Sequence, residues 1–401
     1  MAMKKGWKTE TLGELCEFRR GLTYAKGDEV ETSRNVVLRA TNINLLTNLL
    51  DLMELKYISD KVVIPLEKKV KKDSLIICTA SGSKSHLGKV AYIDDDYGYA
   101  FGGFMGMITP KGNLLPKFLF HLMTSDAYKD FVGELSDGAN INNLKYDQLR
   151  QFQIPFPPLP EQRRIVGILD KAFESIANAK ANAEKNLQNA QVLFESYLQS
   201  VFAKRGEGWE VREISEVAKH SLGKMLDKAK NKGKPQPYLR NINVRWFSFD
   251  LSNLLQMPFL PEESAKYTAI NGDVLICEGG YPGRAAIWSE DYPIYFQKAL
   301  HRVRFHESIY NKWFVYFLYA QDKSGVLKQH FSGTGIQHFT GEVLARLEIP
   351  LPPLPELRCA ISRFNELSTE TQRLSSLYQR KLAALDELKK SLLQQAFSGQ
   401  L

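Results

Sequence analysis

Two stretches of this 401-residue chain repeat each other in order, and that duplication constrains the fold more than any single motif does. Gly6-Trp7 opens GWKTETLGELCEF and Gly208-Trp209 opens GWEVREISEVAKH, while Leu38-Arg39 in VLRATNI recurs as Leu239-Arg240 in YLRNINV. KKDSLIICTASG from Lys71 matches INGDVLICEGG from Ile270, aligning Asp73 with Asp273 and Cys78 with Cys277. From Gly138 and Gly333 the match runs without a gap, GANINNLKYDQLRQFQIPFPPLPEQR against GTGIQHFTGEVLARLEIPLPPLPELR, and it continues through YLQSVFA at Tyr197 and LLQQAFS at Leu392. A period of about 200 residues is too long for a stacked solenoid. The repeating unit is a whole domain with the segment that follows it.

Each copy has the same grammar. Short β-rich runs (VVLRATNI, SLIICTA, KVAYID, DVLICEG) bounded by Gly and Asp read as strands. Leu114 to Leu135 and Ile309 to Phe331 read as amphipathic helices. A proline block then closes each copy, PFPPLPE at Pro155 to Glu161 and PLPPLPE at Pro350 to Glu356; it cannot continue a sheet, and Pro160 and Pro355 before an acidic residue start a helix. In the first long segment Ile165, Leu169, Ala172, Ile176, Ala179, Ala183, Leu187, Ala190, Phe194, Tyr197 and Val201 fall at alternating three- and four-residue steps, a heptad seam. Phe364, Leu367, Leu374, Leu377, Leu382, Leu385, Leu388 and Leu392 form a comparable stripe in the second. The expected fold class is therefore a duplicated mixed α/β (α+β) domain, residues 1–155 and 206–350, each followed by a long spacer helix, 156–205 and 351–401. A seam this long calls for a helical partner, so the two helices are expected to pair with each other as a coiled coil.

Composition bounds the chemistry. A net charge of +8, spread evenly along the chain, permits a polyanionic partner without demanding one. Cys16, Cys78, Cys277 and Cys359 are scattered, with no CxxC pair, and read as buried free thiols rather than zinc ligands. The polar N-terminus and the lack of any long apolar run predict a cytoplasmic protein. No GxxxxGK[ST] loop is present, the Gly-rich AFGGFMG and EGGYPGR lack dinucleotide-binding spacing and read as turns, and no Asn-Pro-Pro-aromatic loop is available for a flipped base. The histidines, including His301, His306, His330 and His338, read as surface or DNA-contacting groups, and Asp94-Asp95-Asp96 as a solvated turn. The chain is expected to have no catalytic residue, no metal and no cofactor of its own.

Polar signals that remain sit in loops and pair between copies. ASGSKSHLGK offers Ser81, Ser83, Lys84, His86 and Lys89, and GGYPGR offers Tyr281 and Arg284 at the matching place. Glycine admits a phosphate close to the backbone while Lys, Arg and Ser donate to phosphates or base edges, although an ordinary hairpin turn has the same composition. A lysine run from Lys219 through Lys224, Lys228, Lys230, Lys232 and Lys234, with a smaller counterpart at Lys68, Lys69, Lys71 and Lys72, lies near Arg240 and reads as a phosphate-tracking edge or a merely solvated face. Asn142, Lys145 and Gln337 come from the aligned NINNLKY and TGIQHF segments. With Arg39, Gln297 and Lys298 these complete the expected DNA-binding set.

The duplicated Gly-Trp start, the IPFPPLPEQRRI and IPLPPLPELRCAI junctions, and the long helix after each resemble the specificity subunit of type I restriction-modification enzymes across essentially the whole chain. The resemblance implies two target recognition domains, each reading one half of a bipartite DNA site, and two helices packed antiparallel as a spacer. It also implies methyltransferase subunits that carry S-adenosylmethionine chemistry and ATP- and Mg-dependent restriction subunits as partners. The second junction departs from the first, with Leu357 for Gln162 and Cys359 for Arg164, so the two helices are not expected to present identical surfaces. Two readings compete with this one: a self-contained DNA methyltransferase or nuclease with unrecognised motifs, and a coiled-coil scaffold that does not bind DNA.

Overall fold

A computed structural model describes residues 6–45, 47–136, 143–204, 206–227, 231–333, 335 and 337–401. They form two compact units, 1–183 with 380–401, and 184–379.

Unit 1 has two four-stranded sheets. One is antiparallel, in the order Cys16–Arg20, Met105–Pro110, Ser74–Cys78, Val90–Ile93; the other runs Glu29–Val30, Lys56–Ile58, Asn35–Leu38, Ala100–Phe101, with only the last pair parallel. Ser74–Cys78 is buried at every position because alternate side chains enter different cores. Leu75 and Ile77 pack with Phe118, Leu122 and Leu169, whereas Ile76 and Cys78 pack with Leu38, Phe101 and Met107. A two-stranded ribbon, Lys8–Thr11 with Gln153–Phe156, ties the start of the domain to its proline exit.

Unit 2 repeats this plan with the edge strand of its second sheet moved to the other side, Thr268–Ala269 beside Ile294–Phe296 where unit 1 has Glu29–Val30 beside Lys56–Ile58, so that the parallel pair is the middle one. Its sheets run Ala218–Leu222, Leu300–Phe305, Val274–Cys277, Ala285–Ile287, and Leu255–Phe259, Lys234–Leu239, Ile294–Phe296, Thr268–Ala269, with the ribbon Glu210–Glu213 and Glu348–Leu351. The pairing corrects one alignment. Asp73 donates its N–H to Ile93 in a left-handed conformation (φ +62°), and the residue doing the same in unit 2 is Gly272 (φ +91°), bonded to Trp288. The partner of Asp273 is therefore Ser74. Ser74 and Thr109 share a hydroxyl bond of 2.8 Å where Asp273 and Arg304 form an ion pair of 2.6 Å.

Two expected helices are broken. The first becomes Pro116–Leu122 and Asp126–Ser136, because the Thr124 and Ser125 hydroxyls bond back to the carbonyls of His121 and Leu122 between them. The second ends at Lys323 before Gly325 (φ +78°), and a short 3₁₀ turn follows at Leu327–His330.

The long helices are Leu159–Ala203 and Leu354–Ser398, 45 residues each. Inside unit 1 they run antiparallel: Ile165 and Leu169 share a core with Leu393 and Ala396, and further along Lys180 pairs with Asp386. Inside unit 2 the direction is the same, with Ala190 accepting from Thr371 and Tyr197 packing on Phe364. The first seam lies inward as expected and gains Leu198 and Phe202. In the second, Leu377 and Leu388 are exposed, whereas Thr371, Tyr378 and Lys389 sit partly buried in its stripe.

Gln162 also departs from its surface role. It is fully buried, accepting from Leu115 N–H (2.9 Å) and donating to Asn113 and Pro157, and Leu357 replaces this polar anchor with an apolar one in unit 2. Three thiols are buried as expected, and burial pushes Cys16 up to about 12 and Cys277 to about 11; Cys359 is exposed.

Candidate nucleic-acid interface

The repeated Leu-Arg is half of a longer device, Arg39-x-x-Asn42 and Arg240-x-x-Asn243. Each asparagine is 2% exposed. Asn42 accepts from Arg39 N–H (2.8 Å) and donates to the carbonyls of Asp51 (2.8 Å) and Glu54 (2.9 Å). Asn243 accepts from Arg240 N–H (2.9 Å) and donates to Asp250 (2.9 Å) and Asn253 (3.3 Å). A buried amide with three partners folds the strand end into a 3₁₀ turn at a fixed angle and leaves the arginine at its rim.

Backbone bonds draw three more segments to that rim. In unit 1 the Leu38 carbonyl accepts from Gly102, the Phe104 carbonyl accepts from Thr79 and Ala80, and Leu144 donates to Thr79. Arg39, the loop 80–87, the turn 102–104 and the segment 143–145 thus meet. In unit 2 Gln297 donates to Leu239, Glu278 to Ala299, and Phe339 to Glu278, which gathers Arg240, the loop 279–284, the turn 297–299 and the segment 337–339. Both loops close on a glycine with positive φ, Gly88 and Gly283, whose N–H returns to Cys78 or Cys277.

The expected contact residues divide sharply on this frame. Arg39, Ser83, Lys84 and Lys145 are exposed, and Ser81 is half-buried, accepting from Ser83 N–H. Lys298 and Gln337 are exposed and Gln297 half-buried. Tyr281 is exposed, with its hydroxyl on Asp322 (3.2 Å) and the Arg284 guanidinium over its ring (5.0 Å). Arg240 and Arg284 are partly committed, donating to the carbonyls of Asn253 (3.1 Å) and Asn241 (2.9 Å). Asn142 and Lys228, like Lys230, lie outside the described residues.

Two expected surface lysines are corrected. Lys89 is buried, its ammonium on the Ile43 carbonyl (2.9 Å) and His86 Nδ1 (2.9 Å), and burial holds its pKa below the ordinary value. Lys224 occupies the strand-end position that buried Leu22 holds in unit 1. Gly21 and Gly223 precede them, where a Cβ would meet the carbonyl of Gly102 or Gln297 at 1.9 or 2.2 Å. Its ammonium is spent on Glu263, on the Pro258 carbonyl and over the Phe259 ring.

His301 is likewise no surface group. It is 1% exposed, bonded to the Phe339 carbonyl (2.9 Å), and burial holds it down to about 4. Phe104, by contrast, is a contact candidate that the reading of AFGGFMG as a bare turn missed: it is 74% exposed, with its own carbonyl at the centre of the unit 1 cluster. An aromatic directly after the Gly102-Gly103 turn was the available signal.

Each rim is a loop-built, cation-bearing edge on a rigid sheet frame, suited to hydrogen-bonding a polyanion and to stacking. Among the described residues no group of three His, Cys, Asp or Glu is placed to hold a metal ion.

The chain is 24% identical to the Type I restriction enzyme EcoKI specificity subunit of Escherichia coli strain K12, covering 100% of this chain and 90% of that one. It is also 24% identical to the StySPI specificity subunit of Salmonella potsdam with the same coverage. Among solved structures, a chain described under the structural basis of complex assembly and conformational transition of the type I R-M system shares the fold with a TM-score of 0.79 over all of both chains at 19% identity. The HsdS subunit from Thermoanaerobacter tengcongensis does so with a TM-score of 0.63, over 100% of this chain and 99% of that one, also at 19% identity. The family described as Type I restriction modification DNA specificity domain matches twice, over residues 4–188 and 206–388, and the chain belongs to that family.

Proposed function

We propose that each unit reads one half of a bipartite DNA site, that the two long helices fix the spacing between the halves, and that methyltransferase subunits, with restriction subunits where present, dock on this chain. The observation that carries the reading is the recurrence, in both units, of the same four-segment rim around an Arg-x-x-Asn turn built on a buried asparagine. A self-contained enzyme has no need of two copies of such a rim, and the named relatives are specificity subunits.

Arg39, Ser81, Ser83, Lys84, Lys145 and Phe104 make the DNA contacts of unit 1, and Arg240, Tyr281, Arg284, Gln297, Lys298 and Gln337 those of unit 2. The exposed cations hold phosphates, and the amides and aromatics read or stack on bases. S-adenosylmethionine, ATP and Mg belong to the partner subunits. No helix among the described residues is long and apolar enough to cross a membrane, and we place the protein in the cytoplasm with the DNA it reads.

The test is methylation by this chain alone and together with its methyltransferase partner. The pair is expected to methylate an interrupted two-part motif while the chain alone transfers nothing. Methyl transfer by the isolated chain would return the self-contained enzyme.

A further inference from the structure

Unit 1 contains a groove of about 730 Å³ between its sheet and the long helices that the function above does not use. Leu50, Phe120, His121, Phe173, Ile176 and Lys389 are among its walls. His121 is 4% exposed, its Nε2 bonded to Asp170 (2.7 Å) and its Nδ1 without a partner.

The offset of 195 residues, carried back from the gap-free repeat into the helix before it, shows what the same place looks like in unit 2, where Tyr316, Tyr319 and Asn365 stand for His121, Thr124 and Asp170. The polar link is kept as Tyr316 bonded to Asn365 (3.0 Å). The space, however, is filled. The hairpin Val244–Arg245 to Ser248–Phe249 drops Trp246 and Phe247 into it, Phe247 lying 5.2 Å from the Tyr316 ring and 5.0 Å from Tyr319, and Trp246 lying 5.2 Å from Tyr319.

Phe247 holds φ +65°, a conformation unfavourable for a bulky side chain, and its aromatic contacts offset that strain. Its N–H bonds the Ala285 carbonyl. In unit 1 Asn48, also left-handed at φ +59°, bonds the equivalent Val90 carbonyl with its side chain. The loop, two residues longer than in unit 2, is thus anchored at the same point, and its described residues Thr47 and Asn48 bring no ring to the place of Trp246 and Phe247. On the helix side Phe194, which packs on Tyr316 and Tyr319, is replaced by Lys389, which lies 5.1 Å over the Phe173 ring. Burial and the nearby Lys180 and Lys129 hold the Lys389 ammonium below its ordinary pKa, as fits a cation lacking a strong counter-ion.

We propose that this groove is a socket for an aromatic side chain of a partner polypeptide, which enters where Trp246 and Phe247 enter in unit 2, with Lys389 receiving a carbonyl or carboxylate of the same segment. The proposal rests on the reading that the chain works within a multi-subunit complex. A single aromatic side chain in a pocket of this kind binds with a Kd of about 1 mM.

The first test titrates N-acetyl-L-tryptophanamide into the full-length chain carrying labelled methyl groups. Saturable shifts are expected at Leu50, Ile176 and Ala177 and not at methyls of unit 2, and they are expected to be lost in Ala177→Phe, which fills the groove from an exposed helix position. No shift in the parent chain at about 10 mM, ten times that Kd, or undiminished shifts in the variant, would overturn the socket. The second test places a photo-crosslinking phenylalanine at Leu49 in the assembled, methylating complex. A crosslink to an aromatic-bearing segment of a partner subunit supports the proposal, and a crosslink only to DNA, or none, overturns it. Motif methylation measured in the same samples reports separately on the reading beneath it.

Discussion

Lys89 and Lys224 show why a loop lysine is a poor guide to a surface. In the sequence they resemble Lys84, but the backbone brings carbonyls within 2.9 Å of both ammonium groups. The consequence is separable by experiment. Lys84→Ala and Arg39→Ala should each flatten the salt dependence of DNA binding by about one phosphate contact, 0.9 in the logarithmic slope, with little loss of stability. Lys89→Met should do the reverse, costing about 1–3 kcal/mol of stability by leaving buried acceptors unpaired while the slope stays as it was. His301 supplies a pH test. Folded, it stays neutral down to about 4, whereas the unfolded chain takes up the proton near 6.5. Its contribution is therefore complete above pH 6.5 and lost as pH falls toward 4. At pH 5 the loss is about 2 kcal/mol at 1.36 kcal/mol per unit. His301→Gln should narrow the fall in melting temperature between pH 7 and pH 5 by about 5 °C, and parallel falls in the two proteins would assign the pH dependence elsewhere.

Elements differ in how plainly the sequence announces them. The long helices were legible because a proline start, a heptad seam and a scarcity of breakers, Gly167 alone after the prolines, all agree over 45 residues. Within the second seam Leu377 and Leu388 misled, since the partner surface rather than apolarity decides which stripe is covered, and here it covers Thr371, Tyr378 and Lys389. The helices after the sheets were harder: Thr124 and Ser125 break one by hydroxyl bonds that no periodicity records. The Arg-x-x-Asn turn was half seen, its arginine noted for charge and its asparagine passed over because a buried amide is visible only through its partners. For the paired helices a prediction follows from their antiparallel run. Seven residues added to both at matched levels keep the seam and add about 10 Å at 1.5 Å per residue. The methylated motif should then gain two to three base pairs in its gap, at 3.4 Å each, with weakened activity because the added pairs also rotate one half-site about the duplex. An unchanged gap at full activity would remove the helices from that role.

At the level of the whole molecule, duplication was the signal that sequence carried best, because two copies of one grammar reveal each other even where neither matches a motif. What it could not carry was divergence within the copies. A loop two residues longer that sets Thr47 and Asn48 against Trp246 and Phe247, or Gln162 against Leu357, is an ordinary difference until the structure shows one groove open and the other filled, one anchor polar and the other apolar. Each unit nevertheless has its own sheets, its own core and its own rim, so recognition should be separable in the same way. The most direct measurement replaces residues 6–150 with the corresponding domain of another family member and sequences the methylome of cells expressing the chimera with its methyltransferase. One half of the methylated motif should change to the donor's while the other half and the gap stay as they were. Both halves changing together, or neither changing in a chimera that still methylates, would contradict the account that each unit reads its own half-site.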